Sequence, residues 1–169
     1  MWIKLCGILL ILISGTGIGY AIASVYTHRV NYLQELHLAI NLINTEIVYK
    51  QTVLSEALKK SSCEVGPPVS DIMHKAATCL QNKKDSLFAP LWRDLLLNSK
   101  LHPDDKKIMN EWGKMVGSTQ LAEQEKNNKL TMKKLVIARE RAEKIADKKV
   151  KLARYSGVLI SFLIIILCY

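Results

Sequence analysis

The chain has 169 residues, too few between its apolar ends for two independent domains, so one compact unit is expected there. Its formal net charge of +9 suits an anionic membrane surface, nucleic acid or an acidic partner, and charge alone does not choose among them. Four cysteines without metal-ligand or paired spacing exclude a disulfide framework and read as thiols of a reducing compartment.

Residues 5–27 form a run of 23 without a formal charge. As a helix this run reaches ~34 Å, enough to cross a ~30 Å hydrocarbon layer. Gly15 and Gly19 lie one turn apart in it and leave a smooth face where another membrane helix could pack. Lys4, the apolar run after it and Ala21-Ile22-Ala23 also resemble a cleavable signal peptide. The single lysine and the continuation of the apolar run favour an uncleaved anchor.

From residue 28 onward no segment alternates as a strand does, and apolar residues recur at helical intervals, which predicts an all-α domain over residues 28–154. Leu33, Leu36, Ile40, Ile43 and Ile47 make a stripe facing its own domain or a second copy of the chain. The pattern changes register around Lys50 to Thr52, and Val53, Leu54, Ala57 and Leu58 begin a shorter helix ending near Ser61. Gly66, Pro67 and Pro68 break the chain.

A third helix fits Val69, Ile72, Met73, Ala76, Ala77 and Leu80, followed by a polar link from Lys83 to Ser86. Leu87, Phe88, Leu91, Trp92, Leu95 and Leu96 describe a fourth, with Pro90 in its first turn and Trp92 as a bulky core anchor. Pro103 opens a fifth, with Asp104 and Asp105 at its positive end and Ile108, Met109, Trp112, Met115 and Val116 inside. Gly117 is the natural stop.

Residues 118–154 contain no Pro or Gly and predict one long helix with a thin inner stripe of Leu121, Leu130, Leu135, Val136, Ile137 and Ile145. Its end is strongly basic, through Arg139, Arg141, Lys144, Lys148, Lys149, Lys151 and Arg154, and runs into the uncharged residues 155–169. That segment is short for a span, at ~22 Å, and crossing would require the basic residues before it to snorkel. The architecture expected is thus a bundle of about six helices flanked by transmembrane segments at 1–27 and 155–169, the last bundle helix continuing into the second. Lys and Arg border the middle domain far more than the outer sides, so the domain is expected in the cytoplasm with both termini outside.

Chemistry is sparse. Gly15-Thr16-Gly17-Ile18-Gly19 lacks the Lys-Ser or Lys-Thr of a phosphate loop, and His28, His37, His74 and His102 show no metal spacing. Glu35, Glu46, Glu56, Asp71 and Asp94 sit in no catalytic constellation, so neither an enzyme nor a cofactor is expected. Glu46 and Glu56, polar residues on short apolar helices, are the candidates for binding a partner. A membrane-tethered nucleic-acid binder is the alternative, but the basic helix lacks interleaved aromatics, and no nucleic acid is expected.

The order of Leu33-Gln34-Glu35-Leu36, Thr45-Glu46-Ile47-Val48-Tyr49, Leu54-Ser55-Glu56-Ala57-Leu58, the Trp92 helix, residues 101–105, and Gly117-Ser118 followed by Gln124 resembles the stage III sporulation protein AB family. The Leu54 to Leu58 segment is also similar to the helical repeat of the inner-membrane platform protein of type II secretion and type IV pilus machines, with Val53 where those families favour proline. The resemblance implies a structural subunit of the channel-like complex between mother cell and forespore, in the mother-cell membrane. It further implies partners among the other stage III subunits, including a secretion-type ATPase, and contact with the lipid bilayer; self-association remains open.

Overall fold

The computed structural model describes residues 2–82, 88–116 and 121–168, without side-chain detail at Leu121, Arg154 and much of both apolar ends. The described residues form six α-helices and no strand: α1 (Trp2–Asn44), α2 (Leu54–Glu64), α3 (Val69–Asn82), α4 (Phe88–Leu97), α5 (Pro103–Met115) and α6 (Leu121–Cys168). A π turn, Thr45–Tyr49, follows α1 directly. The link from Lys83 to Ser86 and the stop at Gly117 lie outside the described residues. Among the described residues, no helix is long and apolar enough to cross a membrane.

The chain divides into two compact units, one of residues 31–139 and one of residues 1–30 with 140–169. In the first, the stripe Leu33, Leu36, Ile40, Ile43 and Ile47 is buried within a single chain, so it needs no second copy to cover it. Ala57 and Leu58 of α2, Val69, Ile72, Met73, Ala76 and Ala77 of α3, and Phe88, Trp92 and Leu96 of α4 join it. The three-four spacing of these residues puts them on one face of each helix, and burying those faces is the main drive to assemble the bundle. α2 packs on α3 and α4 on α5.

Three aromatic rings fill the α4–α5 junction. Phe88 stacks on Trp92 with ring centroids 5.4 Å apart, and Trp92 meets Trp112 edge-on at 5.1 Å. Trp92 donates its indole N–H to the Met109 carbonyl at 2.8 Å, which satisfies its polar atom inside the core. The close approach of α4 and α5 depends on Gly113, because a Cβ there would overlap Trp92 Cδ1 and lie 2.7 Å from Cγ.

The inner face of α6 differs from the expected stripe. Leu135 is fully buried, but Leu130, Val136, Ile137 and Ile145 are exposed. Buried instead are Gln124, Asn128, Thr131, Leu135, Ala142 and Ala146. Those positions share a three-four repeat, whereas Val136 and Ile137 point about 100° and 200° around the helix from Leu135. Apolarity alone places Leu135 correctly but also selects four exposed residues, because the seam here is largely polar or small, and the Leu121 side chain lies outside the described residues.

Among the described side chains of the second unit the usual distribution is inverted. Gly19, Ala23, Ala142, Ala146, Ala153 and Ser161 are buried, while Leu10, Ile13, Ile18, Ile22, Val25, Leu152, Leu159, Leu163 and Ile166 are exposed. The hydroxyls of Ser14, Ser24, Thr27 and Ser156 donate back to carbonyls of their own helices.

Candidate functional site

The candidate partner residue Glu46 sits in the π turn, where the extra residue in the backbone loop breaks the register of α1. Lys50 follows with a hydrogen bond to the Thr45 carbonyl, and Gln51 then turns through a positive φ of 54°. That left-handed residue reverses the chain toward α2. Val53, extended at φ −66° and ψ 147°, starts α2 without a side-chain cap.

This turn brings three donors onto the Glu46 carboxylate, whose side chain is only 10% exposed. Lys50 Nζ donates to Oε1 at 2.6 Å, Lys60 Nζ of α2 to Oε2 at 2.8 Å, and the Thr52 hydroxyl to Oε2 at 3.3 Å. The Thr52 hydroxyl and amide both also reach the Glu46 carbonyl, at 2.6 and 3.0 Å. The hydrogen bonds from Lys50 and then Lys60 lower the Glu46 pKa to about 2, and the same pairing raises that of Lys60. Glu46 is therefore a clasp between the turn and α2, its acceptors already occupied.

Glu56 is different. Its side chain is half exposed and shares Lys60 at 3.3 Å, so it remains on the surface beside the clasp. Tyr49 and Val53, on either side of Gln51, are exposed and give the turn an apolar outer edge.

Glu35 accepts the Gly66 N–H at 2.9 Å and ties the turn before α3 to α1. A buried relay went unforeseen: Trp112 donates to Asn128, and Asn128 donates to Asn44, each at 2.9 Å. Nothing in the periodicity marks Asn44 or Asn128, since asparagine in a helix reads as a solvated position. Among the described residues no buried side-chain N or O lacks a partner.

Of the two candidate glycines for helix packing, Gly19 is buried and Gly15 lies where side-chain surroundings are undescribed. Lys144, Lys148, Lys149 and Lys151 are all exposed on α6, and the side chain of Arg154 lies outside the described residues. Cys63 and Cys79 are free thiols.

Along α6, Lys129, Met132, Lys133, Val136 and Ile137 line a groove of 530 Å³ with His37 of α1. Lys129 pairs with Glu125 at 2.7 Å, and this hydrogen bond raises its pKa, with Tyr49 near enough to add to the effect.

Compared with known proteins, residues 4–169 match the family model described as stage III sporulation protein AB. The chain is 25% identical to stage III sporulation protein AB of Bacillus subtilis (strain 168), over 98% of each sequence. A solved structure of a stage III sporulation protein AB superposes with a TM-score of 0.64 at 22% identity, covering 71% of this chain and 97% of that one. The structural likeness shows a shared fold.

Proposed function

The chain belongs to the stage III sporulation protein AB family and so has a role in sporulation, and from that premise we propose that it is a membrane-anchored, non-catalytic platform within a multi-subunit complex. Its two apolar ends hold it in the mother-cell membrane, with residues 28–154 in the cytoplasm and both termini outside. A secretion-type ATPase of the same complex docks on the cytoplasmic part, which transmits movement to the anchors, as the resemblance to type II secretion platform proteins suggests.

The observation that carries the anchoring is the inverted second unit, with small residues inside and large aliphatic ones outside. In water that arrangement leaves a large apolar area exposed, but in lipid it is favourable, because small residues let helix backbones approach while aliphatic side chains meet acyl chains. Hydroxyls returned to their own helix carbonyls fit the same solvent, which offers no hydrogen bonds.

The exposed Lys144, Lys148, Lys149 and Lys151 beside the apolar tail support contact with anionic headgroups. A non-catalytic role is supported by Glu46 and Glu35, whose carboxylates hold the fold together. Alkaline extraction of membranes from sporulating cells tests the anchoring: full-length chain is expected in the pellet, and its release to the supernatant overturns the reading. The full chain in lipid nanodiscs is expected to bind the ATPase, and the absence of both binding and in-cell crosslinking removes the platform role.

A further inference from the structure

The groove between α1 and α6 is lined by the apolar Met132, Val136 and Ile137 and the basic His37, Lys129 and Lys133, with no carboxylate in its lining. Val136 and Ile137 are 41% and 49% exposed, although the sequence stripe places them inside the bundle. These α6 residues fall at i, i+3, i+4, i+7 and i+8, so they form one continuous helical face turned away from the Asn128 and Leu135 seam. We propose that this groove is the docking site for an amphipathic helix of a partner protein, whose apolar residues seat on Val136 and Ile137 and whose flanking Asp or Glu residues meet Lys133 and Lys129.

A helix laid along two helices presents apolar anchors every three to four residues, which matches the spacing of Met132, Val136 and Ile137. Lys129 and Lys133 make the lining cationic, and opposite charge on the partner steers association and sets its register. A second copy of the chain does not fit, because a two-fold contact through this face would bring two sets of His37, Lys129 and Lys133 together. Glu125 balances Lys129 in part, leaving Lys133 the stronger discriminator. The proposal rests on the chain being a protein-binding subunit, and it is independent of the membrane anchors and of which subunit binds.

The test is a photo-reactive benzophenone amino acid at Ile137 in the full chain in sporulating cells, with Thr78 on the exposed side of α3 as the control position. The result expected is an adduct at Ile137 but not Thr78, mapping to a helical partner segment flanked by acidic residues. Reversing these charges with Lys129→Glu and Lys133→Glu is expected to lower its yield by about tenfold while circular dichroism of the purified variant stays unchanged. Adducts to lipid, nucleic acid, a second copy or a segment without acidic flanks overturn the proposal. So do a yield unaffected by charge reversal and a yield no higher than at Thr78. Capture of an acidic helix from a subunit other than the ATPase supports the groove and counts against the platform role, which separates the two.

Discussion

Trp112 of α5 donates its indole N–H to Asn128 of α6 at 2.9 Å, with both side chains buried to within 1%. Asn128 in turn donates to Asn44, so one amide joins α1, α5 and α6. Such a bond has a directional requirement that a greasy seam lacks, and it fixes which turn of α6 faces Asn44. The expected consequence of Asn128→Leu is a loss of about 2–4 kcal/mol, because the Trp112 N–H and the Asn44 carbonyl oxygen are left buried without partners. Adding Asn44→Leu should cost less than the two single changes summed, by about 0.5–3 kcal/mol. Denaturant unfolding followed by tryptophan fluorescence measures both, and strict additivity would show that the relay is not one network.

The Glu46 clasp makes part of the stability pH-dependent. Its folded pKa of about 2 lies below the ordinary 4.5, so the unfolded chain takes up a proton more readily. The contribution is fully present above about pH 4.5 and is lost as pH falls from there toward 2. Glu46→Gln is expected to flatten the stability profile across that window while leaving the remaining carboxylates to titrate as before. Thermal midpoints at half-unit pH steps provide the comparison, and parallel curves for the two proteins would show that Glu46 has no such role.

Gly113 holds α5 against the Trp92 ring, and Gly113→Ala should destabilise the bundle although alanine favours a helix by about 1 kcal/mol. The added methyl meets a ring that is itself pinned by Phe88, Trp112 and the Met109 carbonyl, so it cannot swing away cheaply. A net loss of about 1–3 kcal/mol is expected, partly restored by Trp92→Phe in the same chain. Stabilisation by Gly113→Ala alone would mean that the helices separate freely at this point.

How far the sequence reaches depends on what holds each helix. Leu33 to Ile47, Val69 to Ala77 and the Trp92 helix were legible because burial follows apolar periodicity there. α6 was legible in length but not in facing, since its seam uses Gln124, Asn128 and Thr131, residues that look solvated until their partners are known. Glu46 stood out as a polar residue in an apolar helix and the register change at Lys50 to Thr52 was legible, but its role required the π turn and the left-handed conformation of Gln51, which periodicity does not specify. Gly113 was unremarked because a glycine needed for close approach is identical in sequence to one merely tolerated.

The start of α2 offers a substitution that should stabilise. Val53 sits at φ −66°, the angle a proline ring imposes, donates no backbone hydrogen bond among the described residues, and is 67% exposed. A proline ring there would reduce the freedom of the unfolded chain at a position already in its conformation. Val53→Pro is therefore expected to add about 0.4–1 kcal/mol. The Thr52 amide and hydroxyl must keep their bonds to the Glu46 carbonyl, because proline also restricts the residue before it. Combining Val53→Pro with Thr52→Ala distinguishes the cases: a gain that survives in the double variant is entropic and local, whereas a gain that vanishes means proline acts by tightening the clasp.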